Sequence, residues 1–304
     1  MISARNSRYL EVRPVRGKET VMALLHRALL TVFVFTLFAH PLFAGQFKIE
    51  KVSDNVYAAI AQPSTRMVSN AFIVITGTEV IVAGSHFTKD GFKELLTSIT
   101  SITHLPVTTT ILTHHHKGLN YYDYDLPEDI EIIITSNIWQ VFKSELRELK
   151  SPTLVFDNAI TLNRGKSSLV IMNTGAGHFQ GDLIVFLPNE GVLFASDLLF
   201  NRYFGYMGEA SIIEWGETLE MMEQLMPVKV VPGMGEVGGN ELISSFMNFY
   251  REFMTEVIRN VDKGNTLAQT KKEFSLKKYR DLPGYGDYLD VNLERAYKQY
   301  KSRK

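Results

Sequence analysis

The amino-acid sequence predicts an α/β protein on the basis of three observations. Short runs rich in β-branched residues recur along the chain from residue 47 onwards. Helical periodicities stand between several of these runs, and such an alternation of strands and helices indicates a layered α/β fold. The 304 residues are enough for one large domain or two small ones with a substantial core.

The alternation is clear in the first half of the chain. Residues 47–52 alternate between apolar and polar side chains, and residues 55–60 supply a second strand. Residues 71–84 have the pattern of a hairpin rich in β-branched residues. Apolar residues at helical spacing occupy residues 90–102, so we expect a helix before the β-branched run at 107–113.

The same pattern continues in the second half. A buried strand is predicted at 131–135 and a helix at 138–149. Further strands are predicted at 154–156, 159–162 and 168–172. Two helices are predicted near the C-terminus, one marked by residues 242–257 and one by residues 292–297.

Three consecutive histidines stand at the end of the 107–113 run. Residues two apart in an extended backbone point to the same side, so His114 and His116 can bind one metal ion while His115 points away. A polar loop or a chance cluster of histidines is the alternative interpretation.

This segment resembles the metallo-β-lactamase-fold superfamily, whose signature is Thr-His-x-His-x-Asp-His at a strand end. Thr113, His114 and His116 match the signature, whereas Gly118 stands at the aspartate position and Leu119 at the third histidine. The segment 175–182 is similar to the family's Gly-x-x-His-x-x-Gly-Asp motif. The resemblance therefore implies that His178 is the next metal ligand.

Two later segments continue the resemblance in family order. Residues 191–200 match the strand that ends in a bridging aspartate, which implies that Asp197 is a metal ligand and the candidate catalytic residue. Residues 232–235 resemble the Pro-Gly-His-Gly turn, with Met234 in place of the histidine. The implied fold is a four-layer αββα sandwich of two mixed β-sheets flanked by helices.

The implied ligand set is complete for one metal ion and not for two. His114, His116 and His178 make up the first site, and the second keeps only Asp197 of its four ligands. We therefore expect one Zn²⁺ per chain. Iron is the alternative cofactor, because His114, His178 and Asp197 also form a two-histidine, one-carboxylate set.

The N-terminal region has the pattern of an export signal. Basic residues precede an apolar run at 29–39, and small residues follow it up to Ala44, so we expect cleavage near Ala44 and a periplasmic or secreted protein without stable membrane insertion. An uncleaved N-terminal anchor is the alternative. The predicted organisation is an extension and signal peptide at 1–44, a metallo-β-lactamase-like domain at 45–240 and a C-terminal helical extension at 241–304, packed on the domain.

Three functions are compatible with this sequence. The first is a zinc hydrolase of low activity that cleaves a small-molecule ester, lactone, lactam or thioester. The second is a metal-degenerate pseudoenzyme that binds a ligand or partner, and the third is an iron oxygenase of the same fold. Tyr203 and Tyr206 follow the Asp197 strand and are candidates for substrate binding, by donating to an oxyanion, or for aromatic packing around Trp215.

The composition argues against one class of partner and excludes disulfide bonds. The net charge of −1 and the absence of a basic stripe argue against nucleic-acid binding. The chain has no cysteine, so it forms no disulfide and the fold depends on core packing in an oxidising compartment. Oligomeric state is left open by the sequence.

Overall fold

The computed structural model describes residues 47–62, 69–84, 89–116, 129–145, 150–209 and 211–304. From Gly45 to Lys304 the chain forms one compact unit. The predicted export signal lies outside the described residues, as do Gly118, Leu119 and His86, a histidine that the resemblance places near the site. Within the described ranges, no helix has the length and apolar character needed to cross a membrane.

Two β-sheets form the centre of the protein. Among the described residues, the first sheet has seven strands in the order β1-β2-β3-β4-β5-β6-β7, and the second has five in the order β12-β11-β10-β9-β8. The strands of the first sheet are β1 (Phe47–Ser53), β2 (Val56–Ala61), β3 (Ala71–Ile75), β4 (Val80–Gly84), β5 (Val107–Leu112), β6 (Glu131–Thr135) and β7 (Thr153–Phe156). Those of the second are β8 (Ala159–Arg164), β9 (Ser167–Ala176), β10 (Gln180–Leu187), β11 (Val192–Phe200) and β12 (Lys229–Met234).

Both sheets are mixed. Strands β1 to β4 pair antiparallel, whereas β4 to β7 pair parallel. In the second sheet only β11 and β12 pair parallel. The sheets pack face to face over an apolar layer that includes Phe72, Ile111 and Phe194, and the rings of Phe72 and Phe194 stack 5.3 Å apart.

Helices cover the outer face of each sheet. The helices of the described residues are α1 (Lys89–Thr100), α2 (Ser136–Ser144), α3 (Ile212–Gln224), α4 (Glu241–Asp262), α5 (Leu267–Glu273) and α6 (Tyr285–Ser302). Helices α1 and α2 bury Leu95 and Phe142 against the first sheet. Helices α3, α4 and α6 share a second apolar cluster with the second sheet. Because the layers run helix, sheet, sheet, helix, the predicted αββα sandwich is confirmed.

Helix α3 was not predicted from the sequence. Its interior contains Gly216, a residue that disfavours helix by about 1 kcal/mol. Packing explains the glycine, because a Cβ there would lie 3.1 Å from Cε1 of Tyr250 on α4. The close approach also lets the Tyr250 hydroxyl donate to the carbonyl of Ile212 at 2.8 Å.

Candidate metal centre

The structure brings the four predicted metal ligands together at one end of the two sheets. His114 and His116 follow the C-terminal end of β5, His178 lies in the turn between β9 and β10, and Asp197 lies within β11. Each offers one ligand atom, these atoms lie within 4.8 Å of one another, and all four side chains are buried.

Two of the distances between these atoms are close to those between the ligands of a tetrahedral metal ion. Zinc bonds of about 2.0–2.1 Å in a tetrahedron place neighbouring ligand atoms roughly 3.3 Å apart. His116 Nε2 lies 2.9 Å from His178 Nε2, and His114 Nε2 lies 3.5 Å from Asp197 Oδ2. The three imidazole centroids are 4.9–5.0 Å apart with nearly perpendicular rings, so their edges converge on one point.

His114 is oriented by hydroxyl groups from both sheets. Its Nδ1 lies 3.3 Å from Thr113 Oγ1 and 3.3 Å from Ser196 Oγ. Fixing one ring nitrogen of a histidine in this way leaves the other directed at the metal position. Nε2 of His114 is accordingly the atom that faces Asp197.

An irregularity in β11 directs Asp197 into the cluster. The pairing with β12 shifts register on both sides of Ser196, and Ser196 has a φ of 50°, a conformation that non-glycine residues seldom adopt. Such local strain and bulging are concentrated at functional sites. The Asp197 Oδ2 atom accepts a 2.9 Å hydrogen bond from Ser69 Oγ.

Burial dominates the protonation of Asp197. It raises the pKa of the carboxyl to about 7, against the opposing effect of the Ser69 hydrogen bond. The Oδ1 atom is buried without a hydrogen-bond partner among the described residues. A cation beside this carboxylate would favour its ionised form, so the donor set suits a metal ion.

Asp182 holds the turn that carries His178. Its carboxylate accepts a 2.7 Å hydrogen bond from the backbone N–H of Phe179, and the backbone N–H groups of His178 and Gly177 also donate to it. Burial nevertheless raises the pKa of Asp182 well above its ordinary value. The Trp215 ring lies 5.9 Å from the His178 ring and packs against it from α3.

His115 points away from the cluster, as period-two alternation predicts. Its Nε2 lies 3.1 and 3.2 Å from the two carboxylate oxygens of Glu145. The ring packs edge-on against Phe142 at 4.7 Å. His115 therefore belongs to the layer between the first sheet and α2 rather than to the metal centre.

A small cavity opens beside the cluster. Its volume is about 30 Å³, which exceeds the roughly 10–15 Å³ that one water molecule needs. Two of the histidines and Asp197 line it, together with Ser69, Tyr206, Met234 and Tyr288. Tyr203 is not among the described residues that line the cavity and packs against the apolar cluster containing Trp215. Substrate contact by Tyr203 stays a prediction.

Four residues near the site were not identified from the sequence. Ser69 contacts Asp197, and Tyr288 reaches the cavity from α6. The Glu209 carboxylate lies 4.0 Å from His116 Nδ1 and is about half exposed. Asn70 accepts from Ala61 N–H and donates to two carbonyls of the 232–235 turn. The only sequence signal for the pair at 69–70 is its place between a polar loop and a buried strand.

The chain is similar in sequence to metallo-beta-lactamases. No protein-family model matches the chain. The chain is 25% identical over 224 residues to a metallo-beta-lactamase type 2 from Bacteroides fragilis, a match that covers 69% of this chain and 88% of that protein. A second metallo-beta-lactamase type 2, from Elizabethkingia meningoseptica, is 24% identical over 60% of this chain and 75% of its own.

Solved structures show the same fold. The crystal structure of VMB-1 superposes with a TM-score of 0.58 at 28% identity, covering 68% of this chain and 98% of the other. The metallo-beta-lactamase from Pontibacter korlensis superposes with a TM-score of 0.60 at 21% identity, covering 68% and 99%. Relatives of this kind and a buried cluster of three histidines and one aspartate support a metallo-hydrolase-like function. From its fold, its relatives and its ligand cluster, the chain is a member of the metallo-β-lactamase-fold superfamily.

Proposed function

We propose that this protein is an exported hydrolase that uses one zinc ion to cleave a small-molecule ester, lactone, lactam or thioester. The observation that carries the proposal is the buried convergence of His114, His116, His178 and Asp197 within 4.8 Å of one another. The cavity beside them gives a reacting group access to this cluster.

The roles of the residues follow from their positions. His114, His116 and His178 would hold the ion, and zinc in such a site supplies Lewis-acid chemistry and lowers the pKa of water to about 7. Asp197, which lines the cavity and accepts from Ser69, is the candidate for proton transfer. The Tyr206 hydroxyl is the candidate to bind an oxygen of the substrate.

We expect the activity to be low. The superfamily motif carries an aspartate at the position of Gly118, and a positioned general base contributes a factor on the order of 10²–10⁴ in rate. Leu119 and Met234 replace two further ligands, so a second metal ion lacks the donors it would need. These losses also define the pseudoenzyme alternative, in which the site binds a ligand without turnover.

Counting metal in the purified full-length protein tests the proposal. We expect about one zinc per chain by elemental analysis, with most of it lost in His116→Ala and none lost in His104→Ala, whose imidazole is exposed outside the cluster. Two equivalents of zinc would contradict the single-site assignment. Iron in place of zinc would favour an oxygenase, and a metal-free protein would favour the pseudoenzyme.

A zinc-loaded protein then needs an activity test. We expect slow cleavage of a chromogenic lactam or a thioester that is abolished by a chelator and by His116→Ala. If the protein binds one equivalent of zinc but turns over no ester, lactone, lactam or thioester, the metal site is supported and the hydrolase function is contradicted.

Export is tested separately. We expect the mature protein to begin near Gly45, which intact-mass analysis of the native protein decides. A mass that retains residues 22–44 would instead indicate the N-terminal anchor.

A further inference from the structure

The C-terminal helix α6 contacts the loop that carries Tyr206. This loop, residues 201–209, follows β11, and its last described residue contacts His178. The backbone N–H of Glu209 donates to the carbonyl of His178 at 2.7 Å, and a Cβ at Gly208 would meet that same carbonyl oxygen at 1.8 Å. The loop is therefore held tightly against the metal centre at one end.

Asn292 of α6 fixes the loop on both sides of Tyr206. Its Nδ2 donates to the carbonyl of Gly205 at 2.9 Å, and its Oδ1 accepts from the backbone N–H of Met207 at 2.8 Å. Asn292 is only 1% exposed, so water does not compete effectively for these bonds. The backbone of Tyr206 is clamped between two hydrogen bonds to one buried side chain.

Arg295, three residues further along α6, contacts the Tyr206 side chain. Its Nη2 donates to the Tyr206 hydroxyl oxygen at 3.3 Å, and its guanidinium carbon lies 5.7 Å from the ring centroid. A guanidinium has no acceptor, so the phenol oxygen is the acceptor in this contact. The proton of the Tyr206 hydroxyl is consequently left to point at a different acceptor.

The cavity is where such an acceptor would sit. The Tyr206 ring lies 6.1 Å from the His116 ring and 5.9 Å from the His178 ring, and Tyr206 lines the cavity. Tyr288 of α6 lies 6.0 Å from Tyr206 and lines the same cavity. The cavity between these rings and the histidines, about 30 Å³, exceeds the volume that one water molecule needs and gives room for a small polar group.

We propose that Tyr206 is the donor of an oxyanion-binding subsite, with Asn292 and Arg295 as positioning residues, and that the subsite takes a small anionic oxygen group such as a carboxylate or phosphonate. The inference deepens the proposed function, because an oxyanion formed at the histidine cluster would lie within reach of the same hydroxyl. It extends the site to α6, a helix that follows every motif on which the superfamily resemblance rests.

Binding of methylphosphonate to the full-length protein tests the subsite. Calorimetry on both the zinc-loaded and the metal-free protein compares the wild type with Tyr206→Phe, Arg295→Met, Arg295→Lys and Tyr300→Phe. We expect Tyr206→Phe to weaken binding about 10-fold or more, because it removes a hydrogen bond to a charged group. Tyr300→Phe, which also lies on α6 but not on the cavity wall, is the matched control and is expected to change binding less than 2-fold.

The role of Arg295 is tested by measurements that a purely structural contact would not change. We expect Arg295→Met alone to weaken methylphosphonate binding. When Tyr206→Phe is already present, adding Arg295→Met should have no further effect. The ¹³Cζ resonance of Tyr206 should show a higher pKa in Arg295→Met, because the guanidinium lowers the pKa that burial raises. Arg295→Lys retains the charge and a donor, so it should recover part of the binding if Arg295→Met is poorly folded.

The outcomes separate this inference from the proposed function. If the protein takes up no zinc but binds methylphosphonate in a way that depends on Tyr206, the subsite is supported and the proposed zinc-hydrolase function is contradicted. If the protein takes up zinc and Tyr206→Phe binds methylphosphonate as tightly as the wild type does, the subsite is contradicted and the proposed hydrolase function is not. Failure of the wild type to bind methylphosphonate in either metal state also overturns it, and equal binding by Arg295→Met overturns the role of Arg295.

Discussion

Thr113 Oγ1 and Ser196 Oγ lie 2.7 Å apart and join the two sheets directly behind His114. Thr113 follows β5 of the first sheet directly, and Ser196 lies in β11 of the second. Both hydroxyls are 3.3 Å from His114 Nδ1, so the orientation of one predicted metal ligand depends on how the sheets pack. The sheet interface and the metal centre are therefore coupled through these hydroxyls.

The coupling can be tested with Ser196→Ala. Ser196→Ala removes one of the two hydroxyl oxygens that contact His114 Nδ1. Loss of a partner that orients a metal-binding histidine lowers metal affinity about 10–100-fold. Zinc competition against a chromophoric chelator measures the change. Ser245→Ala on the exposed side of α4 is the matched control. Equal zinc affinity in Ser196→Ala and the control would show that His114 is oriented without Ser196.

Gly233 is expected to be intolerant of any side chain. A Cβ there would lie 2.2 Å from Asp197 Oδ1 and 2.6 Å from the Ser196 carbonyl, so Gly233→Ala must displace the carboxylate or β12. We expect the free energy of unfolding to fall by about 1–3 kcal/mol and zinc affinity to fall with it. Urea unfolding and zinc competition measure the two effects. Gly77→Ala, with no atom within 4 Å of the added Cβ, should change neither.

Asn70 ties the end of β2 to the end of β12 and to the residue that follows it. Its side chain accepts from Ala61 N–H and donates to the carbonyls of Pro232 and Gly235, each at 2.8 Å. Asn70→Ala leaves these backbone groups without that partner in a buried region, so we expect a loss of at least about 2 kcal/mol in urea unfolding. Asn163→Ala, at an exposed position on β8, is the control. A loss below about 0.5 kcal/mol would contradict this account.

The stability of the metal-free protein should fall as pH rises from about 4 to 7. An aspartate in an unfolded chain titrates near pH ~3.9, whereas burial raises the pKa of Asp197 in the folded protein to about 7. Within this window the folded state binds a proton that the unfolded state has released, so the free energy of unfolding decreases with pH. Burial raises the pKa of Asp182 as well, which contributes with the same sign.

Urea unfolding in a chelator between pH 5 and 8 measures this dependence. We expect Asp197→Asn to flatten the curve and saturating zinc to do the same for the wild type, because the ion binds the deprotonated carboxylate. Identical pH dependences for the wild type and Asp197→Asn in the metal-free state would contradict the assignment.

Local sequence was sufficient for the fold class and for four candidate ligands. The alternation of buried and exposed residues depends on neighbours two positions apart, so it predicted the strands and the common direction of His114 and His116. The similarity of the 175–182 and 191–200 segments to family motifs then pointed to His178 and Asp197. The structure brings all four together because each stands at or near a strand end on the same side of the sandwich.

Tertiary structure alone decided which residues surround those ligands. Ser69, Glu209 and the α6 residues Tyr288 and Arg295 lie on three segments with no periodicity or motif that relates them to His116 or Asp197. Only chain folding places them at the site. The irregularity at Ser196 also depends on the tertiary structure, because it arises where β11 pairs with β12, more than thirty residues later in the chain. Contacts between distant segments are fixed by packing and register, and these are properties of the assembled sheets and helices rather than of any stretch of sequence.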